Sequence, residues 1–447
     1  SESELGLPET CEGIWILPED APLEQPIAVY LGQKDDAILH VDVTPNRGDC
    51  LSIRGLAQEI AVLNRTPLNT PIPLGAVNET ASLPLECAAE DGCMLYQAVR
   101  IEGVDMTAKL PDILVQRLAS SGQGSVNSVV DILNYVMFEL GQPMHAFDAD
   151  QVSGSLKVQW GEVGTSLDLL DGQMLDVKTD HLLIVDDEKP LALAGIMGGL
   201  ASSVTDKTQS IILESACFVP TAIAKTCRTT GLNSESSFRF ERGVDPGLAG
   251  MALQRACTLI VEHLGGRWVA FGQVGEVPAL KNIKLSIEDV ERLLGIRMAE
   301  DVITACLDAM CCTWGGSIQS GWLVTPPSHR YDLTLTEDLV EELLRLTGIN
   351  ALPAVPQSIP CRPIPANQTQ QAEQRIRNQL TQLGLTEHVG YSFVSSQQQQ
   401  CVLGTSFHVV ELENPLSLKM DVLRRSCWPG LLEAAQYNVA RQRSSIR

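Results

Sequence analysis

Four acidic residues between positions 332 and 342 have a spacing that suits a divalent-cation site. Asp338, Glu341 and Glu342 stand at positions i, i+3 and i+4, which a helix places on one face of its first turns. Asp332 precedes this group by six residues. Oxygen ligands without His or Cys are typical of a hard cation such as Mg²⁺. Acidic residues in a first helical turn also stabilise the helix macrodipole without any metal, so the spacing leaves both interpretations open.

A histidine, a glutamate and a group of glycines could form a second site. His145 lies among apolar residues, where a histidine is either a hydrogen-bonded core residue or a catalyst. Glu214 interrupts an apolar strand, and a buried carboxylate is costly unless it has a partner or a function. Gly195 and Gly198-Gly199 follow another apolar strand. They suit either the close approach of a ligand or a β-bulge.

The common catalytic motifs are absent. The sequence contains no phosphate-binding G-x-x-x-x-G-K-[ST], no H-E-x-x-H and no G-x-S-x-G, and no two histidines stand four residues apart. Arg47-Gly48-Asp49 spells a cell-adhesion tripeptide, but nothing else in the sequence is typical of an extracellular protein. A turn before a helix is the better interpretation.

Composition excludes several classes of protein. At ~150 residues per domain, 447 residues predict about three domains. A hydrophobic fraction of 44% supports packed cores and excludes a disordered chain. A net charge of −23 argues against a generic nucleic-acid coat. No run approaches the ~20 apolar residues that span a bilayer. Thirteen cysteines without C-x-x-C predict reduced thiols in a cytoplasmic protein, with neither disulfides nor a zinc site.

Hydrophobic periodicity predicts the helices that position these residues. An apolar stripe predicts a helix over 50–64 with Asp49 as its N-cap. Asp245 is expected to cap a helix that begins at Pro246 and ends at Gly265-Gly266. Two more helices are expected at 108–120 and 126–140.

Strand patterns alternate with these helices and predict a mixed α+β class. A short strand is expected at Gly13–Leu17, and Leu156–Val177 is predicted to form a hairpin that turns at Asp171-Gly172. A second hairpin joins 181–185 to 191–196. Ile211–Cys217 is the strand that would carry Glu214.

A smaller region at 277–352 has the element order of a winged helix. Ser286 is expected to begin one helix, 299–312 forms a second, and Thr336 caps a third at 337–347. Short strands are expected at Thr313 and Trp322–Thr325. Five prolines then predict a stiff linker at 353–365, beyond which 366–447 carries slightly more basic than acidic residues.

Several stretches carry a family resemblance, in order along the chain. They are Val43–Arg47 with Asp49–Leu51, Val129–Asp131 with Asn134–Val136, Leu140–Asp148, Phe240–Pro246, and Arg330–Asp332 with Glu337–Glu342. Together they resemble the beta subunit of bacterial phenylalanyl-tRNA synthetase over essentially all of the sequence. Such a multi-block match is highly specific.

The resemblance implies a division into domains. It assigns 1–28 to the end of an OB-type tRNA-binding domain, 29–90 to a connecting structural domain and 91–270 to an editing domain. It assigns 277–352 to the winged-helix-like domain and 366–447 to the start of a catalytic-like class II synthetase domain. The family chain is longer at both ends, so we expect a fragment that lacks most of the N-terminal domain and the C-terminal part.

The resemblance also implies a function for the editing domain, which is hydrolysis of tyrosine mischarged onto the phenylalanine tRNA. Glu214 and the backbone at Gly198 would then recognise the phenol, and His145 would orient water or the ester. Ser234 and Ser236 stand at pocket positions where the family usually has Thr and Ala. Gly124 stands where relatives commonly have Arg.

By the same resemblance, Asp332, Asp338, Glu341 and Glu342 match a Mg²⁺ site near the alpha subunit. That partner would use ATP to charge tRNA-Phe within an α₂β₂ heterotetramer. Two alternatives stay open. One is a structural, tRNA-binding subunit with a decayed pocket, and the other is a free-standing trans-editing protein.

Overall fold

The structure, a computed structural model, separates into two units, residues 1–354 and 355–447. It describes residues 14–19, 21–22, 24–31, 37–68, 72, 74, 81–354, 356, 359–360, 364–404 and 408–447. Both units combine helices with sheets, which confirms the mixed α+β class. Parts of the predicted 1–28 segment and of the predicted linker lie outside the described residues.

The described part of the first unit contains helices separated by groups of short strands. The helices are α1 (Ile27–Tyr30), α2 (Ile53–Leu63), α3 (Asp112–Ser120), α4 (Ser128–Leu140), α5 (Pro220–Thr230), α6 (Glu235–Phe240), α7 (Ala249–Leu264), α8 (Ile287–Leu294), α9 (Glu300–Ala309) and α10 (Thr336–Thr347). The strands are β1 (Ala81–Ser82), β2 (Leu85–Cys87), β3 (Cys93–Glu102), β4 (Met144–Asp148), β5 (Leu156–Trp160), β6 (Ser166–Asp168), β7 (Met174–Asp176), β8 (Leu182–Val185), β9 (Pro190–Leu193), β10 (Met197–Gly198), β11 (Ser210–Phe218), β12 (Arg267–Gly275), β13 (Ile283–Leu285), β14 (Thr313–Ser317) and β15 (Gly321–Thr325).

Two five-stranded sheets and a helical layer form the body of the first unit. The first sheet has the order β1-β12-β3-β11-β4 and the second has the order β10-β9-β8-β5-β2. One buried cluster joins the facing sides of the two sheets, with Tyr96 and Phe147 from the first and Leu182 from the second. The other side of the first sheet packs against α4 and α7 in a second cluster, which includes Ile132 and Ile260. Because β3 and β11 are covered on both sides, their residues are almost all buried.

Several helices begin or end where their sequences predict. Asn127 caps α4 by accepting a hydrogen bond from Val130 N, and α4 ends at Gly141 in the left-handed region. The helices expected at 108–120 and 126–140 are therefore confirmed, each with a later start. The helix expected to end at Gly265 also ends there.

Three predicted caps are wrong. Ser52, not Asp49, caps α2, because the Asp49 carboxylate is bound by Arg47. Asp245 accepts from Gly247 N in a turn, and α7 begins only at Ala249. Thr336 does not cap α10, because its hydroxyl donates to the carbonyl of Lys284.

The hairpin predicted over 156–177 is also wrong in extent. The turn at Asp171-Gly172 joins only β6 and β7, which have three residues each. β5 instead pairs with β8 and β2 in the second sheet. The hairpin of β8 with β9 is confirmed. The described part of Gly13–Leu17 is not a strand, while β3, β4 and β12 were not predicted.

Residues 283–347 form a small three-stranded sheet covered by three helices. The sheet has the order β13-β15-β14, and Ser286 caps α8 as predicted. Its core includes Trp322 and Leu339 from this segment, together with Val62 from α2.

The second unit contains α11 (Gln368–Gln382), α12 (Ser396–Leu403) and α13 (Trp428–Ala440), with a two-stranded sheet of β16 (Phe393–Val394) and β17 (Val422–Leu423). Its described residues are mostly exposed, and α11 buries none. Throughout the described residues, we find no helix with the length and apolarity to cross a membrane.

Candidate functional site

A cavity lies between the two sheets of the first unit, beside α6. Four residues of the predicted editing pocket line it, namely His145, Gly198, Glu214 and Ser236. Ser234 stands directly before α6. Strand pairing therefore brings together residues that are far apart in the sequence. The remaining lining residues are mostly apolar: Pro143, Met144, Ile184, Ala192, Leu193, Gly195, Ile196, Met197 and Phe240.

His145 and Glu214 are direct partners across an antiparallel pair of strands. Their register is fixed by the pairing of β4 with β11. Side chains of direct partners lie on the same face of a sheet, with Cβ atoms ~5 Å apart. The imidazole also packs edge-on against Phe147, with ring centroids 4.6 Å apart. The sheet thus holds the imidazole and the carboxyl side by side.

Because Gly198 has no side chain, the imidazole of His145 is able to occupy the space beside its Cα atom. A Cβ atom at this position would lie 2.4 Å from Cε1 and 2.7 Å from Nε2 of His145. The backbone of Gly198 cannot easily retreat, because it pairs with Ala192 and its carbonyl accepts a hydrogen bond from Leu170 N at 3.1 Å. Any larger residue would therefore displace the histidine.

Burial keeps both titratable groups of the cavity neutral at pH 7. Glu214 is 5% exposed, and burial raises its pKa to about 8 against a smaller lowering by the Tyr96 hydroxyl. Burial lowers the pKa of His145 to about 4. Among the described residues, neither His145 Nε2 nor Glu214 Oε2 has a hydrogen-bond partner, and both atoms are shielded from solvent. Two such atoms beside one cavity are suited to a polar ligand.

The two serines differ in what they contact. Ser234 caps α6 by accepting from Ser237 N at 3.1 Å, and its hydroxyl donates to the carbonyl of Ile196 at 2.8 Å. It therefore ties α6 to the turn between β9 and β10. Ser236 lines the cavity itself.

Sequence reasoning missed the apolar wall of the cavity, which includes Leu193, Met197 and Phe240. Phe240 packs edge-on against Phe218, with ring centroids 5.0 Å apart. Phe240 belongs to one of the stretches that carry the family resemblance, and this was the one indication in the sequence of its place in the cavity wall. Apolar residues in a wall and in a core have the same sequence pattern.

Three of the four predicted metal ligands have other partners in the structure. Arg330 binds both oxygens of Asp332 at 2.8 Å and Glu342 at 2.9 Å. Arg345 binds Glu342 at 2.6 Å. Asp338 accepts from the backbone N–H of Thr334 and of Leu335 at 2.8 Å. Glu341 is exposed.

Glu342 belongs to a longer ion-pair network in which acidic and basic side chains alternate. Burial alone would raise the pKa of Glu342, but hydrogen bonds and charge from Arg345 and Arg330 outweigh burial and lower it to about 2. Arg345 also binds Glu59 of α2, which Arg47 contacts as well. In order, the network contains Asp49, Arg47, Glu59, Arg345, Glu342, Arg330 and Asp332.

The predicted ligands do not fit Mg²⁺ in this arrangement. Within the described residues, a set of three donor atoms close enough for one ion occurs only at Asp49, Cys50 and Glu59. The Arg47 guanidinium contacts all three of these side chains. The arginines already neutralise Asp332 and Glu342, and Asp338 caps a helix. The Mg²⁺ site stays a prediction.

Three family models match successive parts of the chain. The B3/4 domain matches 92–265, the tRNA synthetase B5 domain matches 283–349, and the phenylalanyl tRNA synthetase beta chain CLM domain matches 352–447. The first of these contains the whole cavity, and the second contains the predicted metal ligands.

Whole-chain relatives agree with these models. The phenylalanine–tRNA ligase beta subunit of Coxiella burnetii is 40% identical over 100% of this chain and 57% of its own length. That of Hahella chejuensis is 39% identical, with the same coverage. A solved N-terminal fragment of the phenylalanyl-tRNA synthetase beta subunit from Pyrococcus horikoshii is 15% identical, with a TM-score of 0.34 over 68% of this chain and 84% of that chain. That likeness is too weak to support any argument.

The chain spans little more than half the length of the curated relatives that it matches. Its match to them is nevertheless continuous, and the three family models follow one another along it. The chain therefore belongs to the phenylalanine–tRNA ligase beta-subunit family.

Proposed function

We propose that the cavity is an editing site that hydrolyses tyrosine from mischarged tRNA-Phe. The observation that carries this proposal is the pair His145 and Glu214, two neutral groups with unpartnered polar atoms beside one small, mostly apolar cavity. Family membership supports it, because the relatives are named as subunits of phenylalanine–tRNA ligase.

The two amino acids that such a site must separate differ by one hydroxyl. An apolar pocket rejects an added hydroxyl only weakly, whereas a pocket that hydrogen-bonds the hydroxyl strongly rejects the analogue without it. Glu214 is suited to this recognition because its neutral carboxyl both donates and accepts hydrogen bonds. A bound phenylalanine would leave that buried carboxyl without a partner, which disfavours its binding.

His145 is suited to the hydrolytic step. At pH 7 its imidazole is neutral, so Nε2 is able to accept a proton from a water molecule that attacks the ester carbonyl. The water oxygen forms the new bond to carbon, the bond to the tRNA 3′-terminal sugar oxygen breaks, and that oxygen takes up the proton held at Nε2. Because Gly198 has no side chain, its backbone lies close to this imidazole without displacing it.

The charging of tRNA-Phe and its recognition involve partners of this chain. From the family resemblance, we assign ATP-dependent charging, with its Mg²⁺, to an alpha subunit in an α₂β₂ complex. Recognition of tRNA-Phe is assigned to the complex as well. The net charge of −23 opposes binding of a polyanion by this chain alone.

A deacylation assay tests the proposed function. The 447-residue chain is given Tyr-tRNA-Phe, and the rate of tyrosine release is compared between wild type and His145→Ala. We expect a loss of about a hundredfold or more, the usual contribution of a general base. His263→Ala is a matched control, because His263 lies in the last turn of α7, outside the cavity lining. Equal rates for all three proteins would favour a decayed pocket instead.

A further inference from the structure

A buried tyrosine beside Glu214 has no role in the proposed reaction. Tyr96 in β3 has 0% exposure, and its hydroxyl has no hydrogen-bond partner among the described residues. A buried hydroxyl without a partner is unfavourable, because its lost hydration is not replaced. Tyr96 does not line the cavity, so direct contact with a ligand does not explain its hydroxyl.

Strand register places Tyr96 next to Glu214. In the pairing of β3 with β11, Ala98 faces Glu214 and Tyr96 faces Ala216. Residues two apart along a strand share one face, so Tyr96 and Glu214 are diagonal neighbours on the face that carries the cavity. An aromatic side chain spans such a diagonal. In agreement, the Tyr96 hydroxyl lowers the pKa of Glu214 against the larger effect of burial.

Two other titratable groups lie near Glu214, and their contacts differ from those of Tyr96. Cys93, also in β3, directs its thiol to the carbonyl of Leu95 at 3.4 Å. The Nε2 atom of His145 lies beside Gly198 at the cavity. Of these neighbours, Tyr96 is the one with a free hydroxyl donor that does not belong to the cavity lining.

We infer that Tyr96 is a positioning residue for Glu214: when substrate binds, the Tyr96 hydroxyl and Glu214 Oε2, neither of which has a partner among the residues that the structure describes, become hydrogen-bond donor and acceptor to each other, and the other carboxyl oxygen is presented to the phenol of the substrate. This inference rests on the proposed function and names a second residue on which its specificity depends. Burial raises the pKa of Tyr96 well above 10, so the hydroxyl stays protonated as a donor. A hydrogen bond of this kind restricts the rotamers of the glutamate and so preorganises its carboxyl for ligand binding.

Binding of non-hydrolysable analogues tests the inference on the 447-residue chain. The probes are 3′-tyrosylamino-adenosine and 3′-phenylalanylamino-adenosine, titrated by calorimetry. For Tyr96→Phe, we expect about tenfold weaker binding of the tyrosyl probe, the usual effect of one lost hydrogen bond, and unchanged binding of the phenylalanyl probe. The midpoint of the pH dependence of tyrosyl binding should also move to higher pH, because the group that lowers the pKa of Glu214 is gone.

Tyr135→Phe is the matched control, because Tyr135 is buried in α4 and its hydroxyl accepts a hydrogen bond from Arg117 at 2.7 Å, outside the cavity lining. Equal weakening of both probes by Tyr96→Phe, or no change in tyrosyl binding and its pH midpoint, would overturn the inference. Glu214→Ala, which removes both hydrogen-bonding oxygens, separates this failure from failure of the proposed function. If Glu214→Ala keeps the tyrosyl preference of the wild type, the proposed function is wrong. If it loses that preference and Tyr96→Phe does not, the inference alone is wrong.

Discussion

The Glu342→Gln substitution should destabilise the region around α10 strongly at neutral pH and hardly at all in acid. The Glu342 side chain is 5% exposed and accepts hydrogen bonds from Arg330 and Arg345. Lowering its pKa from 4.5 to about 2 corresponds to about 3 kcal/mol of stability at pH 7. This agrees with the roughly 3–5 kcal/mol that is lost when one partner of a buried ion pair is removed.

The pH dependence follows from the direction of this shift. Because the folded-state pKa is depressed, the stabilisation is complete above the unfolded value of 4.5 and is lost as the pH falls through about 2. Wild type and Glu342→Gln should therefore differ by about 3 kcal/mol at pH 7 and converge near pH 2.

Hydrogen exchange of α10 peptides, measured against urea concentration at several pH values, reports the opening free energy of this region. Glu341→Gln is the matched control, because Glu341 is the preceding residue of the same helix and is exposed. We expect a change of less than about 0.5 kcal/mol for Glu341→Gln. Equal effects of the two substitutions at pH 7, or a deficit for Glu342→Gln that does not change with pH, would refute the role assigned to the ion-pair network.

Other expected outcomes concern the cavity and the complex. Gly198→Ala should abolish deacylation, because the new Cβ would lie 2.4 Å from His145 Cε1. Gly124→Ala should leave deacylation unchanged, because the space around Gly124 is open. The deacylation assay measures both variants. Glu214→Ala should cost about 2–4 kcal/mol of discrimination between tyrosyl and phenylalanyl esters, and an equal loss on both would make Glu214 structural or catalytic instead. The deacylation rate should hold from about pH 7 to about 5 and fall through about pH 4 as His145 becomes protonated; a fall centred near 6.5 would contradict the effect of burial on this imidazole. The chain alone should not charge tRNA with phenylalanine, and robust aminoacylation would defeat the assignment.

The sequence predicted several of the residues that line the cavity, but it did not predict the strand pairing that brings them together. His145, Glu214, Gly198 and Ser236 were identified through a family resemblance, and the structure brings them together. The strand pairing that does so was not predictable from local pattern. β3 is buried on both faces, so it lacks the alternation of a half-exposed strand.

Side-chain competition explains the errors at helix starts. Asp49 and Thr336 have suitable types for caps, but each has a partner elsewhere, Arg47 for the first and the Lys284 carbonyl for the second. The Mg²⁺ site stays a prediction, but three of its acidic residues likewise have partners that spacing does not reveal. Helical spacing placed Asp338, Glu341 and Glu342 correctly on α10, but it carried no information on Arg330 or Arg345, which bind Glu342.

The ion-pair network also has a consequence for dividing the chain into separately expressed modules. The B5 match covers 283–349, yet Glu59 binds Arg345 from outside that range and Val62 lies in its core. A protein cut to 283–349 would lose one carboxylate partner of Arg345 and expose the hydrophobic surface that α2 covers. A soluble version of this module should therefore carry the α2 segment with it, fused through a linker. In evolution, Glu59 and Arg345 are likewise expected to change together, although almost three hundred positions separate them.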